Sequence, residues 1–182
     1  ILRVRSSIRP LRETHGRGTL RLVMRRLLSA FLALAAVPAL AWIDTGHMVA
    51  ASIAQPELTQ KTREIVERLV KIGTDDKTNS FITVSCWVDD FRTDADRDWH
   101  FINFHFRADG QPSENKPLPG NVVSAIREQS RILGDAGQPD EKRALALRFL
   151  VHFVADVHQP LHTLARDTTL FPKGDRGGND FR

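Results

Sequence analysis

Apolar residues recur at helical spacing in the stretch 56–72. Ile65 and Leu69 lie four residues apart, with further aliphatic residues beside them. This spacing predicts an amphipathic helix with one buried face. Thr59 is a suitable N-cap, and Gly73 is a natural stop. We therefore expect one helix between these two residues.

Two further helices are predicted later in the chain. The segment 121–134 is amphipathic, begins with Asn121 as a candidate N-cap and closes on a glycine. The segment 139–158 carries a longer apolar pattern, and Pro160 is expected to end it. The alternation in WHFINFHF indicates a short strand or an extended segment, and the remaining polar stretches are expected to be loops. The pattern predicts a mainly α fold.

The N-terminal segment predicts processing rather than folding. Residues 1–23 have no helical or strand period, so we expect a leader that is non-native or disordered. Residues 24–41 combine two arginines, a short apolar run and a small-x-small ending, which is typical of a signal peptide cleaved between Ala41 and Trp42. A basic binding arm and an uncut membrane-anchoring helix are the alternatives. The domain itself is then expected over 42–182.

The charge distribution removes a simple argument for a nucleic-acid partner. The chain has a formal charge of +4. Residues 1–41 hold eight arginines and one acidic residue, so the expected mature segment is net negative. The excess of basic residues therefore lies in residues 1–41, outside the expected mature segment. The single cysteine, Cys86, is expected to be a small buried residue or to pair with a partner outside this chain.

The stretch HFVADVHQPLH, residues 152–162, carries the strongest chemical signal. His152 and Asp156 are four residues apart and share one face of the predicted third helix. His162 follows the proline break, where the chain can fold back toward that face. Two imidazoles and a carboxylate are ligands that zinc accepts, and a buried aspartate needs a counter-charge. The segment predicts a metal site, while His158 points elsewhere on the helix.

Three shorter segments add weaker candidates. Asp89 and Arg92 lie in WVDDFR, His100 follows a tryptophan in WHF, and His47 ends WIDTGH. Alone, each residue is compatible with an ordinary solvated or packed position. Together with the helix they supply ligand-type side chains from several separated segments.

These four motifs in this order resemble the zinc-dependent single-strand-specific nucleases of the S1/P1 type, from Trp42 to the end of the chain. The resemblance implies a mainly helical domain related to zinc phospholipases C, with three zinc ions at the bottom of a cleft. It also implies seven metal ligands in this chain: Trp42, His47, Asp89, His100, His152, Asp156 and His162.

The same resemblance implies a role for each ligand. Trp42 would bind one zinc ion through its α-amine and carbonyl, together with His47. Asp156 would bridge that ion to a second one. The second site would be completed by Asp89, His100 and His152, and His162 would begin a third site.

The resemblance also implies residues that act on the substrate. Arg92, with Asp89, would belong to the catalytic set by neutralising phosphate charge. Phe101 would stack on a nucleobase. Asn103 stands where the family often has an acid that reads the base, so the base preference is open.

The function implied is an exported endonuclease and 3′-nucleotidase, secreted or periplasmic and monomeric. It would hydrolyse single-stranded DNA and RNA to 5′-nucleotides. We expect the chain to hold the N-terminal part of the domain, without the remaining ligands of the third site. A zinc phospholipase C is an alternative, although the five-residue step from Trp42 to His47 favours the nuclease. The other two alternatives are an inactive metal-binding fragment and a plain helical exported domain.

Overall fold

The described residues form a mostly helical unit. The computed structural model describes residues 43–73, 79–113 and 117–180, all within one compact unit, Ala41–Arg182. The predicted leader, the signal peptide and Trp42 lie outside the described residues. None of the described helices is long and apolar enough to cross a membrane.

The first half of this unit contains short helices joined by tight turns. Helix α1 spans Asp44–Ala54 and was not predicted as a helix; a 3₁₀ turn, Gln55–Glu57, follows it. Helix α2 spans Gln60–Leu69, and the Thr59 hydroxyl accepts the amide of Thr62, which confirms the predicted N-cap. The elements that follow are the 3₁₀ turn Thr83–Cys86, α3 (Trp87–Asp90) and the 3₁₀ turn Arg97–His100.

The second half contains the two longest helices and a small sheet. Helix α4 spans Val122–Gly134, with the Asn121 side chain accepting two backbone amides at its start. Helix α5 spans Asp140–Val157. Both agree with the predicted segments. Pro160 begins a further short helix, α6, Pro160–Thr163, so α5 ends just ahead of the proline because proline is compatible only with the first turn of a helix.

Strands β1 (Phe104–Arg107) and β2 (Leu164–Asp167) pair in parallel, with Phe104 opposite Leu164. The predicted extended segment, residues 99–106, thus overlaps most of β1, whereas β2 was not predicted. Parallel neighbours require a long crossover, and here the crossover contains α4 and α5. This topology returns the chain after α5 to the residues that follow His100.

Helix α5 joins two hydrophobic clusters. Leu147 packs in one cluster with residues of α1 and α2, and Phe153 packs in the other with Val88 and residues of α4. Between them, Arg148 donates to the carbonyl of Ile72 and lies over the Trp87 ring. Because α5 is fixed on both sides, its polar residues in the last turns are held in a defined orientation.

Cys86 is buried, in agreement with the expectation of a small interior residue. Its Sγ lies 3.5 Å from the Asp44 carbonyl oxygen. The residue therefore contributes to the packing of α1 against the 3₁₀ turn Thr83–Cys86.

Candidate metal centre

Six of the seven predicted metal ligands lie together in the interior; Trp42 is outside the described residues. Four of the six are almost completely buried, and Asp89 and His162 are more exposed. They come from α1, α3, the turn before β1, α5 and α6. The six residues are His47, Asp89, His100, His152, Asp156 and His162.

His152 is oriented by a backbone hydrogen bond. Its Nδ1 lies 2.7 Å from the Ser85 carbonyl oxygen. Because a carbonyl oxygen only accepts, we assign the proton to Nδ1, which leaves the Nε2 lone pair for a ligand. The ring stacks on His47, with centroids 3.9 Å apart. The 3₁₀ turn Thr83–Cys86 therefore fixes which nitrogen of His152 faces the centre.

His162 is oriented in the same way. Its Nδ1 lies 2.9 Å from the His100 carbonyl oxygen, so Nδ1 donates. In return, the amide of Ile102 donates to the His162 carbonyl oxygen at 2.8 Å. These two hydrogen bonds attach α6 to the segment that leads into β1, and they leave Nε2 of His162 available to a ligand.

Asp156 lies at the middle of the cluster, and its two oxygens face different neighbours. Oδ2 lies 3.0 Å from His100 Nδ1 and 3.2 Å from His152 Nε2. Oδ1 lies 3.6 Å from His47 Nε2 and 3.4 Å from His162 Nδ1. A carboxylate that presents one oxygen to each of two groups of histidines has the arrangement that a bridging ligand requires.

Asp89 also faces both groups. Its Oδ2 lies 3.6 Å from His47 Nε2, and its Oδ1 lies 3.7 Å from His100 Nδ1 and 3.6 Å from His152 Nε2. Two triads of potential ligands have donor atoms within 4.8 Å of one another: His47 with His152 and Asp156, and Asp89 with His100 and His152.

The chemistry of this donor set fits a divalent metal such as zinc. Imidazole nitrogens and carboxylate oxygens are zinc ligands. Within the described part of the chain, His100 Nε2 and Asp156 Oδ1 are buried without a hydrogen-bond partner. Leaving such atoms unsatisfied is costly in an interior, and a bound cation would satisfy the carboxylate oxygen. The residues present therefore fit the metal that their types suggest.

The electrostatics of the cluster also favour a cation. Burial, together with the neighbouring His152, lowers the pKa of His47 to about 4, so the ring is neutral and able to act as a ligand at neutral pH. Burial alone would raise the pKa of Asp156, but the hydrogen bond from His100 and the proximity of His152 hold that pKa below its usual range. The carboxylate is therefore charged. For His152, burial opposes protonation, but the Asp156 carboxylate raises its pKa.

The cluster opens into a cavity of about 530 Å³. Arg92, Phe101 and Asn103, the three residues predicted to contact the substrate, line this cavity together with Asp89 and His162. A cavity of this size is in the range of small-ligand sites. The structure thus brings the predicted substrate residues to the same space as the predicted ligands.

Four residues that the sequence did not single out for this site also line the cavity: Arg97, Leu161, Arg176 and Asn179. Arg97 lies three residues before His100, on the same 3₁₀ turn, so its closeness in sequence to a candidate ligand could have predicted its position at the cavity. Arg176 and Asn179 lie in the loop after β2, which the pairing of β1 with β2 brings close to the residues that follow His100. His158 is exposed and hydrogen-bonds the Val154 carbonyl oxygen, away from the cluster as expected.

Comparison with known proteins is consistent with this geometry. The family model for S1/P1 nuclease matches residues 42–182. Nuclease S1 of Aspergillus oryzae is 33% identical over 134 residues, which cover 66% of this chain and 44% of that protein. Nuclease P1 of Penicillium citrinum is 28% identical over 133 residues, 66% of this chain and 47% of that protein. Endonuclease 3 of Arabidopsis thaliana is 26% identical over 155 residues, 79% of this chain and 49% of that protein. The matched regions thus span less than half the length of each of these relatives.

Proposed function

This chain belongs to the S1/P1 nuclease family, and we propose that it is part of a zinc-dependent endonuclease and 3′-nucleotidase. The proposed substrates are single-stranded DNA and RNA and 3′-nucleotides, and the products are 5′-nucleotides. The observation that carries this proposal is the convergence of six ligand-type side chains, three of which line a cavity that an arginine and a phenylalanine also line.

In this proposal the metal ligands of this chain, with further ligands of the complete domain, would hold three zinc ions. Trp42 and His47 would hold one ion, Asp156 would bridge it to a second one, and His162 would begin a third site. Asp89, His100 and His152 would complete the second site. Zinc, when bound, lowers the pKa of a coordinated water and supplies a nucleophile for phosphodiester hydrolysis at mild pH.

The remaining residues of the chain would bind and orient the substrate. The Arg92 guanidinium would hydrogen-bond the phosphoryl oxygens, which carry more charge as the reaction proceeds. The half-buried Phe101 ring would stack on one nucleobase. Base–aromatic stacking contributes about 1–3 kcal/mol and tolerates any sequence. A base must leave its duplex to stack in this way, which supports a preference for single strands.

We also propose that the protein is exported, to the periplasm or outside the cell, with Trp42 as its first residue after signal cleavage. The free α-amine that cleavage creates has an ordinary pKa near 8, so it can become a metal ligand. Mass spectrometry of the exported protein would identify the first residue. Any other N-terminus would remove the proposed ligand and contradict this part of the proposal.

The activity test uses the exported protein that begins at Trp42 and carries its complete domain, with zinc bound. Wild-type protein is expected to degrade denatured DNA faster than the same DNA as a duplex, and to leave 5′-phosphate ends. The Asp89→Asn variant should lose this activity, whereas the matched exposed variant Glu128→Gln should keep it. Bound zinc without cleavage of any nucleic acid would favour the inactive metal-binding alternative. Cleavage of phosphatidylcholine instead of DNA would favour a phospholipase C.

A further inference from the structure

Two exposed arginines lie at the mouth of the cavity, beyond the predicted catalytic residues. Arg97 and Arg176 line the same cavity as Arg92. Their side chains are 66% and 76% exposed, so both guanidinium groups are accessible to a ligand in solvent. They come from segments nearly eighty residues apart, and the fold brings them to one opening.

The backbone at Arg176 is in a conformation that arginine rarely adopts. Its φ is +53°, and it is the one non-glycine residue with positive φ in the described part of the chain. Left-handed backbone is unfavourable for a residue with a Cβ, and such residues concentrate at functional sites. A glycine would adopt this φ readily, so the arginine side chain itself needs an explanation.

The loop around Arg176 is firmly attached to the rest of the fold. The buried Asp175 carboxylate accepts the amide of Arg166 at 2.9 Å. The side-chain amide of Asn179 donates to the Arg176 carbonyl oxygen at 2.8 Å. Gly177 packs directly on the backbone of Leu161. These contacts hold the Arg176 backbone in its unfavourable conformation and keep its side chain at the cavity.

The acidic neighbours of both arginines leave the guanidinium groups available. Arg97 Nε lies 3.8 Å from Asp98 Oδ1, and Arg176 Nη1 lies 3.5 Å from Asp180 Oδ1. Exposed ion pairs at these distances contribute little and break easily. A phosphate group offers a guanidinium two parallel, charge-assisted hydrogen bonds, which are stronger than either of these pairs.

We propose that Arg97 and Arg176 form a second anion site, which binds phosphate groups of a single strand on either side of the bond that is cleaved. This inference rests on the proposed function, because only a polynucleotide carries further phosphates next to the reacting one. The metal cluster and Arg92 act on one phosphate. The two rim arginines bind its neighbours and so favour oligonucleotides over mononucleotides.

The test measures binding without turnover. A fluorescently labelled oligothymidylate is titrated, in a metal chelator, with the exported protein that begins at Trp42, because the eight arginines of residues 1–41 would themselves bind the strand. Anisotropy gives Kd at several salt concentrations. Arg97→Ala and Arg176→Gly are each expected to raise Kd by about threefold, as for other exposed ionic contacts. Each should also reduce the slope of log K against log salt by about 0.7, the value for one phosphate contact on a single strand.

The substitutions at Arg176 separate charge from backbone strain. Glycine keeps the positive φ and removes the guanidinium, whereas Arg176→Lys keeps a positive charge and should restore most of the salt slope. Arg127→Ala removes an exposed arginine of α4 outside the cavity lining and should behave as wild type. Circular dichroism would check that every variant is folded.

Three results would overturn the inference. One is a double variant, Arg97→Ala with Arg176→Gly, that keeps the wild-type salt slope. Another is a loss of affinity in Arg127→Ala as large as that in the cavity variants. The third is that the cavity variants lose as much affinity for a methylphosphonate oligonucleotide as for oligothymidylate, because an uncharged backbone should not bind these arginines. Cleavage of denatured DNA by wild-type protein is scored separately, so failure of the proposed function is distinguishable from failure of the anion site.

Discussion

The contact between Gly177 and Leu161 should be important for both stability and the site. An alanine Cβ at Gly177 would overlap the Leu161 carbonyl oxygen and lie 3.1 Å from its carbon. Gly177 also has φ +65°. The left-handed backbone costs an alanine about 1–2 kcal/mol, and overpacking against a rigid group adds about 1–3 kcal/mol. We expect Gly177→Ala to lower the free energy of unfolding by about 2–5 kcal/mol.

Gly178 supplies the matched control. Its φ is +84°, but an added Cβ would meet nothing within 4 Å. Gly178→Ala should therefore show the backbone cost alone, about 1–2 kcal/mol. Equilibrium urea unfolding of both variants and wild type measures the difference. Equal losses in the two variants would refute the reasoning, because the close approach to Leu161 would then contribute nothing.

The same substitution should affect the site. Leu161 precedes His162 in α6, and any displacement that relieves the overlap moves α6 or the loop that carries Arg176. We expect Gly177→Ala to weaken zinc binding by more than Gly178→Ala does. Isothermal titration with zinc in the folded temperature range would measure both affinities.

Three further predictions concern pH, a helix cap and the central carboxylate. Because the pKa of His47 is lowered to about 4 in the folded protein, the unfolded chain binds a proton there between pH 6.5 and pH 4 that the folded chain does not bind. The free energy of unfolding of the metal-free protein should therefore fall by up to about 3 kcal/mol over this range. Urea unfolding should show a flatter pH profile for His47→Gln than for wild type, and identical profiles would contradict this prediction. Asn121→Ala removes the acceptor for two backbone amides of α4 and should cost about 1 kcal/mol, measured as a shift of the urea midpoint at constant slope. Asp156→Asn should reduce the zinc bound per chain, measured by elemental analysis, whereas Glu128→Gln should bind as much zinc as wild type; full occupancy in Asp156→Asn would exclude its bridging role.

The helices that could be predicted from the sequence are those with strong local signals. Helix α2 has Thr59 at its start, and α4 has Asn121, each of which accepts backbone amides in the structure. Helix α5 has a long apolar pattern that stops close to Pro160. Caps and apolar spacing act over a few residues, so they can be identified without knowledge of the tertiary structure.

The elements that could not be predicted depend on distant partners. Helix α1 buries only His47 and Ala51, so its pattern of apolar and polar residues is weak. Strand β2 has four residues, and its pairing with β1 is set by the packing of α4 and α5. The resemblance to a family suggested the ligand set, but the proximity of Arg176 to the cavity depends on this strand pairing and on the contacts of the loop that follows it.

The parallel pairing of β1 with β2 has a consequence for the order of folding. The strands are joined by the intervening residues 108–163, so closing that loop is unfavourable until its two long helices have packed. The α4–α5 hairpin should therefore form early, and the pairing of β1 with β2 should come late. Since α6 and β2 follow α5 in the chain, a newly made polypeptide would contain His47, Asp89 and His100 well before it contains His162. Metal capture is thus expected to be among the last steps of maturation.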